Sequence, residues 1–160
     1  MQKIWTINNP SEKRFLKRAP KEFNFSDHGQ KEISDLVRRM DIAMQKANGV
    51  GLSANQIGLD IKIFVARWDN KFYAIFNPRI EKTSKEKGAL EEGCLSIPGY
   101  HGEVERASKI TLVGQNRWGK IIRIRAWGML ARIFQHETDH LNGKLFVERM
   151  KKGARLKPTE

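Results

Sequence analysis

The sequence predicts an α+β domain, with strands gathered in the middle of the chain, an amphipathic helix before them and a second helix after them. Three observations carry this. Ile33, Leu36, Val37, Met40, Met44 and Ala47 recur at three- and four-residue steps, the period of a helix with one apolar face. Between residues 61 and 127, β-branched and aromatic residues fall in short runs separated by turn residues. A second helical period runs from Met129 to Leu141. Strands and helices do not alternate as a doubly wound parallel sheet requires.

The first helix is expected from about Ser26 to Asn48, capped by Ser26 or Asp27 and followed by Gly49. Gly49 to Gly58, GVGLSANQIG, is rich in small residues and predicts a loop or irregular edge where backbone comes close to a ligand or a strand. Ile61 to Trp68 and Lys71 to Asn77 form a hairpin around Asp69-Asn70. Ile110 to Gly114 and Ile121 to Trp127 pair around Arg117-Trp118-Gly119-Lys120, with partial alternation suited to a sheet with one wet face. The last helix, about Met129 to Leu141, is closed by Gly143. Beyond Met150 the chain reads KKGARLKPTE, a basic tail expected to fray.

Composition bounds the function. The 160 residues, with no repeat or linker, read as a single domain over 1–160. With 39% hydrophobic residues the chain has the material for a core, which argues against disorder. One cysteine excludes an intrachain disulfide framework and points to a reducing compartment, the cytoplasm. No apolar run approaches the roughly 18 residues of a membrane span, and Met1 to Pro20 lacks the apolar block of a signal peptide. The net charge of +12 fits an anionic neighbour such as nucleic acid, or simply solubility.

The chemistry sits in His136-Glu137-Thr138-Asp139-His140. Residues four apart stack on one helix face, so both imidazoles reach one metal ion from the same side, while Glu137 falls off that line and can act on a metal-bound water. A catalytic metal takes three protein ligands and keeps a position open. The HExxHxxGxxH extension fails, because Phe146 stands where its third histidine would be. Only Glu148 and Glu160 follow, on no clear helix, so the third ligand lies upstream, with Cys94 the outstanding candidate. A coordinated thiol is deprotonated, and its soft sulfur accepts several transition metals. Asp139 reads as either a supporting carboxylate or a surface charge.

Three blocks together resemble the peptide deformylases. Gly49-Val50-Gly51-Leu52-Ser53-Ala54-Asn55-Gln56 is similar to GxGLAAxQ, Glu92-Gly93-Cys94-Leu95-Ser96 to EGCLS, and Gln135-His136-Glu137-Thr138-Asp139-His140-Leu141 to QHExDHL. The resemblance extends from Asn9-Pro10 through Asn77-Pro78 and Ile97-Pro98 to about Met150. It implies antiparallel or mixed sheets surrounding the metal-binding helix. It also implies a metal-dependent hydrolase that removes the N-formyl group from the initiator formylmethionine of nascent chains, by attack of a metal-bound hydroxide. Carried over, Cys94, His136 and His140 bind one divalent ion, ferrous iron in the cell and exchangeable for zinc, nickel or cobalt. Glu137 is the base and then the acid, and Gln56 with the backbone amide of Leu95 stabilises the oxyanion. Backbone groups of Val50 and Gly51 hold the substrate as a strand, and Leu90, Met129, Ile133 and His136 form the methionine pocket. A monomer near ribosomes, with no membrane or DNA partner, is the corresponding expectation.

The chain departs from the family pattern at Ser53 (usually alanine), His101 (often arginine) and Arg132 (apolar in some members). These bear on peptide preference and the pocket rim. The family's usual longer C-terminal helix has no counterpart, as in short deformylases of some bacteriophages. Two other readings fit the same residues: an endopeptidase on the same HExxH helix, and a basic ribosome- or RNA-binding module with a structural metal. Ribosome proximity is an expectation from the charge and from Lys151, Lys152, Arg155 and Lys157.

Overall fold

The computed structural model describes residues 1–160. Three helices, α1 (Pro10–Leu16), α2 (Gln30–Lys46) and α3 (Gly128–His140), accompany eight strands. The strands are β1 (Gly51–Ser53), β2 (Ile63–Trp68), β3 (Lys71–Thr83), β4 (Lys87–Cys94), β5 (Ile97–Ala107), β6 (Lys109–Gln115), β7 (Ile121–Trp127) and β8 (Lys157–Pro158). They form a five-stranded sheet, β1-β2-β3-β6-β7, and a three-stranded sheet, β4-β5-β8. Every ladder pair is antiparallel. Of the antiparallel or mixed sheets expected, the antiparallel form is the one present, and the only parallel pairing is an isolated bridge between Lys21 and Ile61. No helix is long and apolar enough to cross a membrane.

Asp69 and Asn70 both adopt positive φ (53° and 60°), the two-residue turn whose twist matches a hairpin, and so join β2 to β3 as their side chains predict. Helix α2 buries Ile33, Val37, Met40, Ala43 and Met44 against Leu52, Ile63, Val65 and Phe76. It starts at Gln30, not Ser26. Asn24 accepts from the Ser26 N–H (3.1 Å), which draws Ser26 and Asp27 into a separate short turn, and Gly29 becomes the helix cap. Helix α3 buries Ala131, Ile133 and Phe134, together with its capping residue Leu141, against Phe64, Ile75, Leu112 and Ala126 of the larger sheet. Gly143 follows it at φ 73°, as a residue ending a helix does.

Two elements carry no clear local signal. The short helix α1 is capped by Asn9, which accepts from Ser11 and Glu12 N–H groups (2.9 and 3.2 Å), with Pro10 opening the helix. The long β4-β5 hairpin has a sequence, KGALEEGC, with neither alternation nor β-branched enrichment, so pairing across the hairpin sets its register. The tail expected to fray instead returns: Lys157 and Pro158 pair with His101 and Tyr100. Backbone hydrogen bonding along the free edge of β5 outweighs the local composition.

Candidate active site

Helix α3 brings His136, Glu137 and His140 to the cleft between the two sheets, and its Gln135 fastens it there. The Gln135 amide donates to the Ala107 carbonyl (2.9 Å) and accepts from the Ala107 N–H (3.2 Å) of β5. Cys94 approaches from the end of β4. Its Sγ lies 3.2 Å from His140 Nε2, which lies 3.3 Å from His136 Nε2. These three donor atoms lie within 4.8 Å of one another.

The set fits a divalent ion. Metal–sulfur and metal–nitrogen bonds of about 2.3 and 2.0 Å in a tetrahedron place ligands about 3.3 to 3.6 Å apart. The imidazoles are prepared for it. His136 turns Nδ1 to Glu92 Oε1 (2.9 Å), which aims Nε2 at the common point. Burial lowers the affinity of His136 for a proton, but hydrogen bonds with Cys94 and Glu92 more than reverse this and raise its pKa well above the ordinary value. His140, lowered well below the ordinary value by burial and by His136, is a neutral imidazole.

Glu92 is the centre of a buried charge network. Burial favours its neutral form, yet hydrogen bonds from His136 and Arg106 bring its carboxyl down to about 2. Arg106 holds both oxygens at 2.9 Å, and Arg132 adds a bond of 2.5 Å. Arg106 also reaches Asp139 Oδ2 (2.6 Å), which Arg149 grips from the other side. Asp139 is therefore a buried supporting carboxylate, not a surface charge. The EGCLS block contains Glu92, but nothing in the sequence points to Arg106 as its partner.

Glu137 is 4% exposed, and burial raises its pKa. Ser53 Oγ donates to its Oε2 (2.8 Å), and a Cβ at Gly51 would lie 2.5 Å from its Oε1, so only glycine admits the carboxylate there. Gln56 is fixed at both ends of its amide. Oε1 accepts from the Ser53 N–H (2.9 Å), and Nε2 donates to Ser96 Oγ (3.1 Å) and faces Cys94 Sγ at 3.6 Å. The Leu95 N–H, in the turn after Cys94, is taken by no backbone carbonyl.

A cleft of about 500 Å³ opens over these groups, lined by Val50, Gly51, Gln56, Cys94, Leu95, Met129, Ile133, His136 and Glu137. Strand β1 is the edge of its sheet, so one side of Val50 and Gly51 faces the cleft without a strand partner. The Val50 carbonyl already accepts from Arg67 N–H (2.9 Å), leaving the Val50 N–H for a ligand. Leu90, on β4, stands outside this lining and is 51% exposed. Arg132, bonded to the Val104 and Gly88 carbonyls (2.9 and 2.7 Å), ties α3 to β4 and β5 beside the cleft.

The chain matches the family model for polypeptide deformylases over residues 1–156. It is 48% identical over 122 residues to a peptide deformylase of Halothermothrix orenii, covering 75% of this chain and 79% of the relative. The crystal structure of peptide deformylase from Thermotoga maritima superposes with a TM-score of 0.86 at 34% identity, over 94% of this chain and 98% of that one. A probable peptide deformylase from Synechococcus phage S-SSM7 superposes with a TM-score of 0.82 at 37% identity, over 94% of this chain and all of that one.

Proposed function

The chain belongs to the peptide deformylase family, and from that premise we propose how its own residues remove the formyl group from N-formylmethionyl peptides. The observation carrying the proposal is the convergence of Cys94 Sγ, His136 Nε2 and His140 Nε2 beside the buried carboxylate of Glu137, at the open edge of β1. When bound to these three donors, a divalent ion supplies an acidified water, its pKa lowered from roughly 16 to about 7, together with polarisation of a carbonyl. Ferrous iron is the proposed ion in the cell, with zinc, nickel or cobalt as substitutes; the mixed sulfur and nitrogen donors suit all four.

Val50 and Gly51 offer backbone groups to an extended peptide, and Met129 and Ile133 receive the methionine side chain. Glu137 takes a proton from the attacking water and passes one to the leaving amine, which its raised pKa favours. As the formyl carbon becomes tetrahedral, negative charge grows on its oxygen. Gln56 Nε2 and the Leu95 N–H are the donors proposed for that charge, and Gln56 is held in place before reaction, so little reorganisation is needed.

Formate release from formyl-Met-Ala-Ser by anaerobically prepared, metal-loaded protein tests the reaction; intact substrate would defeat it. We further propose that the protein works as a cytoplasmic monomer close to ribosomes, a reading supported by its charge of +12. Salt-dependent co-sedimentation with ribosomes tests the proximity, and its absence at low salt counts against it.

A further inference from the structure

The end of the chain returns to the mouth of the cleft. Lys157 and Pro158 add as β8 to the free edge of β5, and the Thr159 N–H donates to the Gly99 carbonyl (2.9 Å). Side chains hold the strand as well. Lys157 Nζ meets Glu91 Oε1 at 3.2 Å, and Oε2 of the same carboxylate lies 3.0 Å from His101 Nε2. His101 Nδ1 lies 3.4 Å from Thr159 Oγ1, so one imidazole touches both the strand and its ion pair. Gly102 gives the returning segment room, because a Cβ there would lie 2.6 Å from Met150 Cε and 3.4 Å from Leu156 Cδ2. Thr159 lines the catalytic cleft together with Gly99 and Tyr100.

Strand spacing gives the scale. β4, which ends at Cys94, lies beside β5, and β5 beside β8. At about 4.8 Å per strand, β8 is about 10 Å from the strand that carries Cys94. An extended peptide spans that distance in about three residues at roughly 3.3 Å each. We propose that β8 and the Thr159 that follows it into the cleft lining, anchored by His101, form a specificity-determining wall for the second and third residues of the formylated peptide. The wall rests on the deformylase reading, but its docking and ligand contact are measurable without turnover.

The test uses the full-length, metal-loaded protein and two substrates, formyl-methionine amide and formyl-Met-Ala-Ser. Thr159→Trp should raise KM for the longer substrate about tenfold and leave the shorter one unchanged. Lys157→Glu, which sets a like charge against Glu91, should give the same selective loss and faster amide exchange over residues 155–160, with exchange in α3 unaltered. In the unmodified protein, the product Met-Ala-Ser should slow exchange at Thr159, whereas methionine amide should not. Equal effects on both substrates, no effect on either, or exchange at Thr159 indifferent to Met-Ala-Ser would each overturn the wall. Inactivity of the unmodified enzyme on both substrates would overturn the reaction instead, while the exchange measurement would still decide the wall.

Discussion

The Ser53 hydroxyl donates to Glu137 Oε2 across 2.8 Å, and the Ser53 N–H donates to Gln56 Oε1 across 2.9 Å. One residue at the end of β1 thus holds both the proposed base and the proposed oxyanion donor. Any residue but proline supplies the N–H, whereas the bond to the carboxylate needs the serine hydroxyl. Ser53→Ala should therefore disturb Glu137 and spare Gln56. The hydroxyl favours the ionised carboxylate, so its loss raises the pKa of the base further. The acid limb of the kcat/KM profile should move to higher pH, and kcat should fall by about tenfold, the worth of one hydrogen bond to a charged group. An unmoved acid limb would remove Ser53 from the mechanism.

Glu137 and Cys94 should separate chemistry from metal binding. Glu137→Gln is expected to keep one metal ion per chain and lose turnover, because the amide cannot accept the proton. Cys94→Ala is expected to lose the metal, since two imidazoles are left without a third ligand. Metal analysis of both purified variants, beside the formate assay, checks the pair.

Gln56→Ala removes the proposed oxyanion donor and also the acceptor of the Ser53 N–H, so Tm is measured beside its kinetics. Its expected cost is about 3 to 4 kcal/mol of barrier, a loss of a hundredfold or more in kcat with KM little changed. Steady-state kinetics on formyl-Met-Ala-Ser measures this.

Glu92 gives the fold an acid limit. Its carboxyl lies at about 2 in the folded protein against an ordinary 4.5. A carboxyl depressed by folding stabilises the fold above its unfolded pKa and loses that contribution as pH falls toward its folded value. Thermal unfolding of chelator-treated protein should therefore show Tm declining between pH 4.5 and about 2. Glu92→Gln should flatten that part of the decline. It should also lower Tm near neutral pH, because Arg106 and Arg132 lose a buried partner.

Phe134 tests the packing beneath the site. It is fully buried on α3, with ring centroids 5.6 Å from Phe64 and 5.2 Å from Tyr73. Phe134→Ala should cost about 3 to 5 kcal/mol in urea unfolding.

The elements legible from residue order are those whose signals are local. The period of α2, the Asp69-Asn70 turn and the α3 helix with its paired histidines follow from residue spacing and backbone preference. The lone cysteine and the three motif blocks named the family and the candidate site. Tertiary structure alone decided the features built from residues far apart in the chain. Arg106 reaches Glu92 across 14 positions and Asp139 across 33, and no local pattern announces such a pairing. Arg132 is buried beside the cleft because a guanidinium taken out of water must find acceptors, which here are Glu92 and two backbone carbonyls. The same cause turned a tail of basic residues into β8: an exposed strand edge offers hydrogen bonds that composition does not reveal.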